Sequence, residues 1–115
     1  MITNEEKQEY LAAPELYLDE LTAGEVTPMP ESETWDAVME RISSREPCEI
    51  DEKTYYSFLK SDWHTAVGRY TFFSDGKVPF RVLWTRDGRY FFRQLNRSQS
   101  IKLGRLEGHA ALFRR

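Results

Sequence analysis

A chain of 115 residues, 40% hydrophobic and 30% charged, suffices for one domain with a buried core; it is too apolar for a disordered class and too charged for a membrane-spanning one. No apolar run exceeds four residues, and the single cysteine, Cys48, excludes a disulfide framework and a zinc site built of cysteines alone. The net charge is −3, and the opening Met1-Ile2-Thr3-Asn4-Glu5-Glu6 is acidic where a targeting peptide is basic and apolar, so the expected compartment is the cytoplasm.

Thr3 and Glu6 have the spacing of a capping box, which predicts a short helix to about Ala13. Pro14 interrupts it and starts a second helix over Glu15 to Ala23, with Leu16, Tyr17 and Leu21 as its apolar side and Gly24 as its stop. Val26-Thr27-Pro28-Met29-Pro30 is an extended connection, because neither proline tolerates a helix or a central strand there. Trp35, Val38, Met39 and Ile42 recur at i, i+3, i+4 and i+7, a helical stripe facing a core, with Ser32 as its cap. Asp51 caps a further helix through about Ser61, stapled by Ile50 and Tyr55 and buried through Tyr55, Phe58 and Leu59. From Ala66 the period changes to two, and the dipeptides Asp75-Gly76 and Asp87-Gly88 predict hairpins joining strands over 67–74, 77–86 and 89–95. Residues His109 to Phe113 are a candidate fourth strand.

Two-residue turns would fix the register and therefore the two faces of the sheet. One face carries Val67, Phe73, Val78, Phe80, Val82, Trp84, Phe91 and Leu95, with Arg69 and Arg93 among them, and should lie under the helices. The other carries Tyr70, Phe72, Leu83, Tyr90 and Phe92, with Arg81, Thr85 and Gln94. A solvated face should be polar, and this one is aromatic. Aromatic rings with interleaved arginines suit a stacking platform for unpaired bases, a protein–protein hot spot or a dimer seam; the alternative is that helices cover the face. A one-residue slip would exchange the faces. Pro79 would face the first strand opposite Phe72 without an N–H to donate, so a bulge or a longer first turn is expected.

No catalytic or metal motif emerges. His64 and His109 lack further ligands at metal spacing, and His64 follows Trp63 at an expected helix end. Cys48 lies beside Glu49, a setting that raises a thiol pKa and suits a small buried residue. No serine sits in a nucleophile elbow and no glycine-rich loop joins a strand to a helix. Paired carboxylates such as Asp19-Glu20 and Asp51-Glu52 fall in helical end turns, where solvation explains them. No cofactor and no enzymatic activity are expected.

From Glu49 to Leu95 the chain resembles a group of short uncharacterised bacterial proteins carried on plasmids and phages, a domain of unknown function. The residues that carry the resemblance are Glu49-Ile50-Asp51-Glu52 leading a helix with Tyr55, Tyr56, Phe58 and Leu59, the break at Trp63, and Asp87-Gly88-Arg89-Tyr90-Phe91-Phe92-Arg93. The resemblance implies a mobile-element origin and no catalytic residues, and it covers under half the chain.

The charge is divided along the chain. Residues 1–52 hold 15 acidic side chains against Lys7, Arg41 and Arg45, a balance of −12; residues 53–115 hold 13 basic ones against Asp62, Asp75, Asp87 and Glu107, a balance of +9. The halves either neutralise each other, or present an acidic surface to a basic partner, or present a basic surface to phosphate. The expectation is a single α+β domain over 1–115, with acidic N-terminal helices packed on an antiparallel meander of three to four strands. Residues 1–30 form a loosely packed helical arm, 31–62 hold helices and 66–115 hold the sheet. Its expected function is that of a non-catalytic protein-binding module without membrane contact, occupying a basic, nucleic-acid-handling site on a host protein as an inhibitor or anti-defence protein. Glu15, Asp19, Glu20, Glu31, Glu33, Asp36 and Glu40 are the candidate contacts. The alternatives are a single-stranded nucleic-acid-binding module using Arg69, Tyr70, Arg81, Tyr90, Phe92 and Arg93, and a homodimer in which acidic and basic surfaces meet.

Overall fold

The computed structural model describes residues 2–29, 34–60, 64–73 and 80–114, with the backbone alone at Trp35, Val38 and Ile42. The elements run α1 (Asn4–Thr22), α2 (Trp35–Ser43), β1 (Cys48–Ile50), α3 (Glu52–Leu59), β2 (His64–Val67), β3 (Tyr70–Phe73), β4 (Arg81–Arg86), β5 (Arg89–Gln94) and α4 (Arg97–Leu112). The five strands form one antiparallel sheet in the order β1-β5-β4-β3-β2, so the fold is α+β with more strands than expected. No helix among the described residues is long and apolar enough to cross a membrane.

The central strands carry apolar side chains at consecutive positions: Phe72-Phe73, Val82-Leu83-Trp84 and Phe91-Phe92 are all buried. Such runs belong to a sheet covered on both faces. On one face Tyr70, Phe72, Val82, Trp84, Phe91 and Leu95 pack with Tyr17, Leu18 and Leu21 of α1 and Leu103 of α4. On the other, Cys48, Ile50, Phe73, Leu83 and Phe92 pack under Tyr55, Phe58 and Leu59 of α3. Asp51 caps α3 as expected, accepting the Thr54 N–H at 2.6 Å, and Ile50 and Tyr55 share one cluster. Thr34 caps α2 by accepting the Ala37 N–H at 3.2 Å, whereas Ser32 lies outside the described residues. Met39, placed on the buried stripe by its spacing, is exposed.

The hairpin at Asp87-Gly88 is where the sequence puts it, with φ of 54° and 74°, the paired left-handed residues of a type I′ turn. The first hairpin is not. The strand expected over 67–74 is two strands turned at Gly68-Arg69, where Gly68 at φ 57° opens the turn and its α-carbon faces the Glu15 carboxylate. Phe73 then pairs with Arg81, three positions away from the register that a two-residue turn at Asp75-Gly76 would impose. That dipeptide, like Val78 and Pro79, lies outside the described residues. A slip of three is odd, so β3 is turned over: Tyr70 and Phe72 face α1, and Phe73 faces α3.

Two helical assignments also differ from expectation. The segment that includes His109 to Phe113 is not a strand; it ends α4, whose start is fixed by a capping box in which the Asn96 side chain accepts the Gln99 N–H at 2.8 Å and Gln99 answers at 2.9 Å. The Ser100 hydroxyl accepts the Phe80 N–H at 2.7 Å, which ties this helix to the start of β4. Pro14 does not divide α1, and residues 4–22 form one helix with the proline buried inside it. An interior proline costs about 3 kcal/mol. Pro14, Tyr17, Leu18 and Leu21 form one buried stripe, and each large side chain placed there contributes about 1.5–3 kcal/mol, which outweighs the break. The second half of α1 is thus part of the core and not an arm.

Replacing Pro14 by alanine restores an N–H that can bond the Tyr10 carbonyl, while removing part of a buried ring. The first gain exceeds the second, so Pro14→Ala should stabilise the fold by about 1–2 kcal/mol. Urea denaturation followed by far-UV circular dichroism checks this, as a rise in midpoint at unchanged slope.

Candidate functional site

With both sheet faces covered, the surface open to a partner is largely that of the helices. The layer formed by α1 and α4 is antiparallel. Tyr10 near the start of α1 stacks on Phe113 beyond the end of α4, with ring centroids 5.0 Å apart, and meets His109 edge-on at 6.0 Å. Seven residues later along α1, Tyr17 lies under the Lys102 ammonium at 4.5 Å, a cation–π contact.

At 100° per residue, Glu9, Leu16 and Glu20 fall within about 20° of the direction opposite the buried Leu18. Glu5 and Ala12 flank them, and all five are exposed. The outer ridge of α1 is therefore acidic, with Leu16, 63% exposed, at its middle. Leu16 was expected on the apolar side; the heptad from Pro14 to Leu21 that enters the core leaves it outside. On α4, Ile101, Arg105 and Leu112 fall within about 20° of the direction opposite the buried Leu103, with Arg97 and Gly108 at their flanks. This second ridge is basic and apolar, and Leu112 is 68% exposed. The sequence signal for this helix is the Asn96-x-x-Gln99 spacing of a capping box ahead of Leu103, Leu106 and Ala110.

Of the seven acidic candidates, α1 presents Glu15, Asp19 and Glu20, all exposed. Asp19 is engaged: its carboxylate accepts from the Tyr70 hydroxyl at 2.6 Å and from Arg69 at 3.2 Å. Arg69 also donates to the Tyr70 oxygen at 2.8 Å, and the Thr22 hydroxyl lies 2.9 Å from it. Burial first, and the Asp19 hydrogen bond second, push the Tyr70 hydroxyl above its ordinary pKa. Asp36 and Glu40 are exposed on α2, which packs beside β1 and β5 and is separate from the α1 ridge. Glu31 and Glu33 lie outside the described residues.

The six aromatic and basic candidates are not brought to one surface. Tyr70 and Phe92 are fully buried, on opposite faces of the sheet. Arg93 latches two helix ends, donating from Nη1 to the Leu21 carbonyl and from Nε to the Arg45 carbonyl at 3.1 Å. Arg81 is half-buried across from Phe73, on the α3 side. Tyr90 packs in a cluster with Tyr55 at 4.9 Å and Tyr56 at 6.0 Å, of which Tyr56 is the exposed member. Of the readings offered for the aromatic face, helices covering it is the one seen: Tyr70 and Phe72 pack with α1, and Leu83, Tyr90 and Phe92 with α3.

His64 begins β2 and does not end a helix, since α3 stops at Leu59. Among the described residues no group of three or more His, Cys, Asp or Glu is placed to hold a metal ion. Cys48 is buried, with its thiol directed at the Phe92 carbonyl at 3.5 Å and the Arg41 carbonyl at 3.9 Å. Burial pushes its pKa up to about 11, against the pull of the Arg41 guanidinium; the cause is desolvation and not the neighbouring acids.

In comparison with known proteins, no family model, no curated protein and no solved structure matches the chain. The resemblance to plasmid- and phage-borne proteins rests on the residue pattern alone.

The Cys48 thiol sets an alkaline limit. Unfolded, it ionises near 9.0; folded, it holds its proton to about 11. Its contribution is fully present below pH 9 and is lost as pH rises toward 11, a fall of at most about 3 kcal/mol. Urea midpoints should fall across that window, and Cys48→Ala should flatten the fall. At pH 8 the native thiol should resist a disulfide reagent that the unfolded chain consumes at once.

Proposed function

We propose that this chain is a non-catalytic protein-binding module that docks the acidic outer ridge of α1 on a basic surface of a partner protein. In its sharpest form it is a phage- or plasmid-borne inhibitor that occupies a nucleic-acid site on a host protein. The observation that carries the reading is the ridge itself. Glu5, Glu9 and Glu20 stand exposed along one side of a helix whose second half is fixed in the core. At 1.5 Å per residue Glu5 and Glu9 are about 6 Å apart along the axis and Glu20 about 16 Å further on, so the carboxylates mark both ends of one helical ridge. A groove lined with Arg and Lys to receive phosphate would receive such a ridge in the same positions, and the prior rigidity of the helix lowers the entropic cost of association. Leu16 adds an apolar contact at the middle of the ridge. Glu15 and Asp19, on the flank toward Arg69, and Asp36 and Glu40, on α2, contribute less than the sequence alone suggests.

The single-strand-binding alternative has less support, because Tyr70 and Phe92 are buried and Arg93 is committed to helix carbonyls.

The test is a pull-down of tagged chain from host lysate with and without nuclease, followed by titration of the captured protein at several salt concentrations. A stoichiometric protein should survive nuclease, and its affinity should fall with salt. Glu9→Lys combined with Glu20→Lys should weaken it by at least about 100-fold and flatten the salt dependence, while Asp36→Lys with Glu40→Lys should cost less than about fivefold. Unchanged affinity in the folded α1 variant would sink the reading. Recovery of nucleic acid, lost on nuclease treatment, would transfer it to the single-strand alternative.

A further inference from the structure

The acidic ridge of α1 and the basic ridge of α4 lie side by side on one outer surface and run antiparallel, with Leu16 exposed on the first and Ile101 and Leu112 on the second. Among the described residues no ion pair joins one ridge to the other. A surface built from two stripes of opposite sign has one closed partner of the same kind, a second copy rotated by 180° about an axis parallel to the helices and lying in the contact plane. That rotation sets α1 of one copy over α4 of the other, acid on base. A two-fold axis across the helices would set α1 on α1 and α4 on α4, like on like, which is unfavourable. We infer that the chain forms a two-fold homodimer through this face, a four-helix layer in which each acidic ridge meets the other copy's basic ridge.

The heights along the helices give this pairing an acid–base contact at the Glu20 end and apolar contacts at its middle and at Leu112. Tyr10 lies level with residues 109–113 and Tyr17 with Lys102, so positions at one height sum to about 120. A rotation about an axis parallel to the helices preserves height. Leu16 of one copy therefore lands between Ile101 and Arg105 of the other, and Glu20 lands within about one turn of Arg97. Ala12 comes level with Gly108, two small residues that allow close approach of the helix backbones. The 16 residues of α4 span about 24 Å, and two helix widths of about 10 Å each give a face of about 480 Å² per copy. The total, about 1,000 Å², is at the lower end of specific interfaces, so the dimer should be micromolar and salt-sensitive.

The inference goes beyond the proposed function and does not depend on a host partner. The two engagements share the α1 ridge and so exclude each other, and the partner would draw on the monomer.

Sedimentation of the full chain at about 100 μM should show a dimer at about 50 mM salt that weakens at least about tenfold by about 500 mM. Arg97→Glu with Arg105→Glu should be monomeric, as should Glu9→Lys with Glu20→Lys. Mixing the two should restore a one-to-one heterodimer, because each altered ridge then meets its opposite; that rescue shows both variants folded. A monomer for the unaltered chain at low salt overturns the inference, as does a dimer that survives in either variant, or a mixture that stays monomeric while circular dichroism shows both variants folded. The Arg97→Glu, Arg105→Glu variant keeps an intact α1 ridge, so its capture of a host protein reports on the proposed function separately.

Discussion

The apolar side chains on both faces of β3, β4 and β5 govern the arrangement of the rest of the chain. A strand that carries Val82-Leu83-Trp84 or Phe91-Phe92 in succession has no solvated side, and each face must be covered. One cover is short: α3 sets Phe58 on Phe92 with centroids 4.9 Å apart and Tyr55 on Tyr90 at the same distance. The other is long, because Tyr70, Phe72, Trp84 and Phe91 form the wider apolar area and need both α1 and α4. This demand keeps α1 continuous through Pro14. The helix is held where the sheet needs it, and the broken backbone bond is the smaller quantity.

Covering the sheet also consumes the side chains that looked functional in isolation. Tyr70 is the buried centre of a bonded group with Asp19, Thr22 and Arg69. Arg93 supplies a cation to the Leu21 carbonyl at the C-terminal end of α1, a helix with no basic residue in its own last turn. Arginine beside aromatic residues is the composition of a nucleic-acid surface and equally of a sheet whose helices must be latched at their ends. What distinguishes the two is whether the rings are open, and here they are closed.

The elements legible in the sequence are those whose signals are local. Asp87-Gly88, Asp51 before α3 and the staple of Ile50 and Tyr55 act within a few residues and are where their chemistry puts them. The register of β3 was not legible, because it depends on the length of a connection and not on the Asp-Gly dipeptide within it. A slip of three positions then exchanged the faces of Tyr70, Phe72 and Phe73 together. The α4 helix was obscured by Gly104 and Gly108, both poor helix formers, although its capping box at Asn96 and Gln99 was present in the sequence. The charge division was visible as a fact about the chain, but the ridges appear only when α1 and α4 are folded side by side.

The placement of those charges is not what the helices would choose for themselves. Acidic residues favour a helix N-terminus and basic ones a C-terminus, by about 0.3–1 kcal/mol each. Glu5 and Glu6 at the start of α1 obey this, but Asp19 and Glu20 sit at its other end. Arg97 occupies the first turn of α4, which holds no acid. Pairing within the chain offsets only part of the cost: Asp19 meets Arg69 at 3.2 Å, while Glu20 and Arg97 enter no ion pair among the described residues. Exposed pairs of this kind contribute at most about 1 kcal/mol. The two unpaired charges set against their own dipoles are on the outer ridges, level with each other once a second copy is laid across the first. Helix stability does not account for that arrangement, whereas the inferred pairing of two copies would set each of these charges near an opposite one.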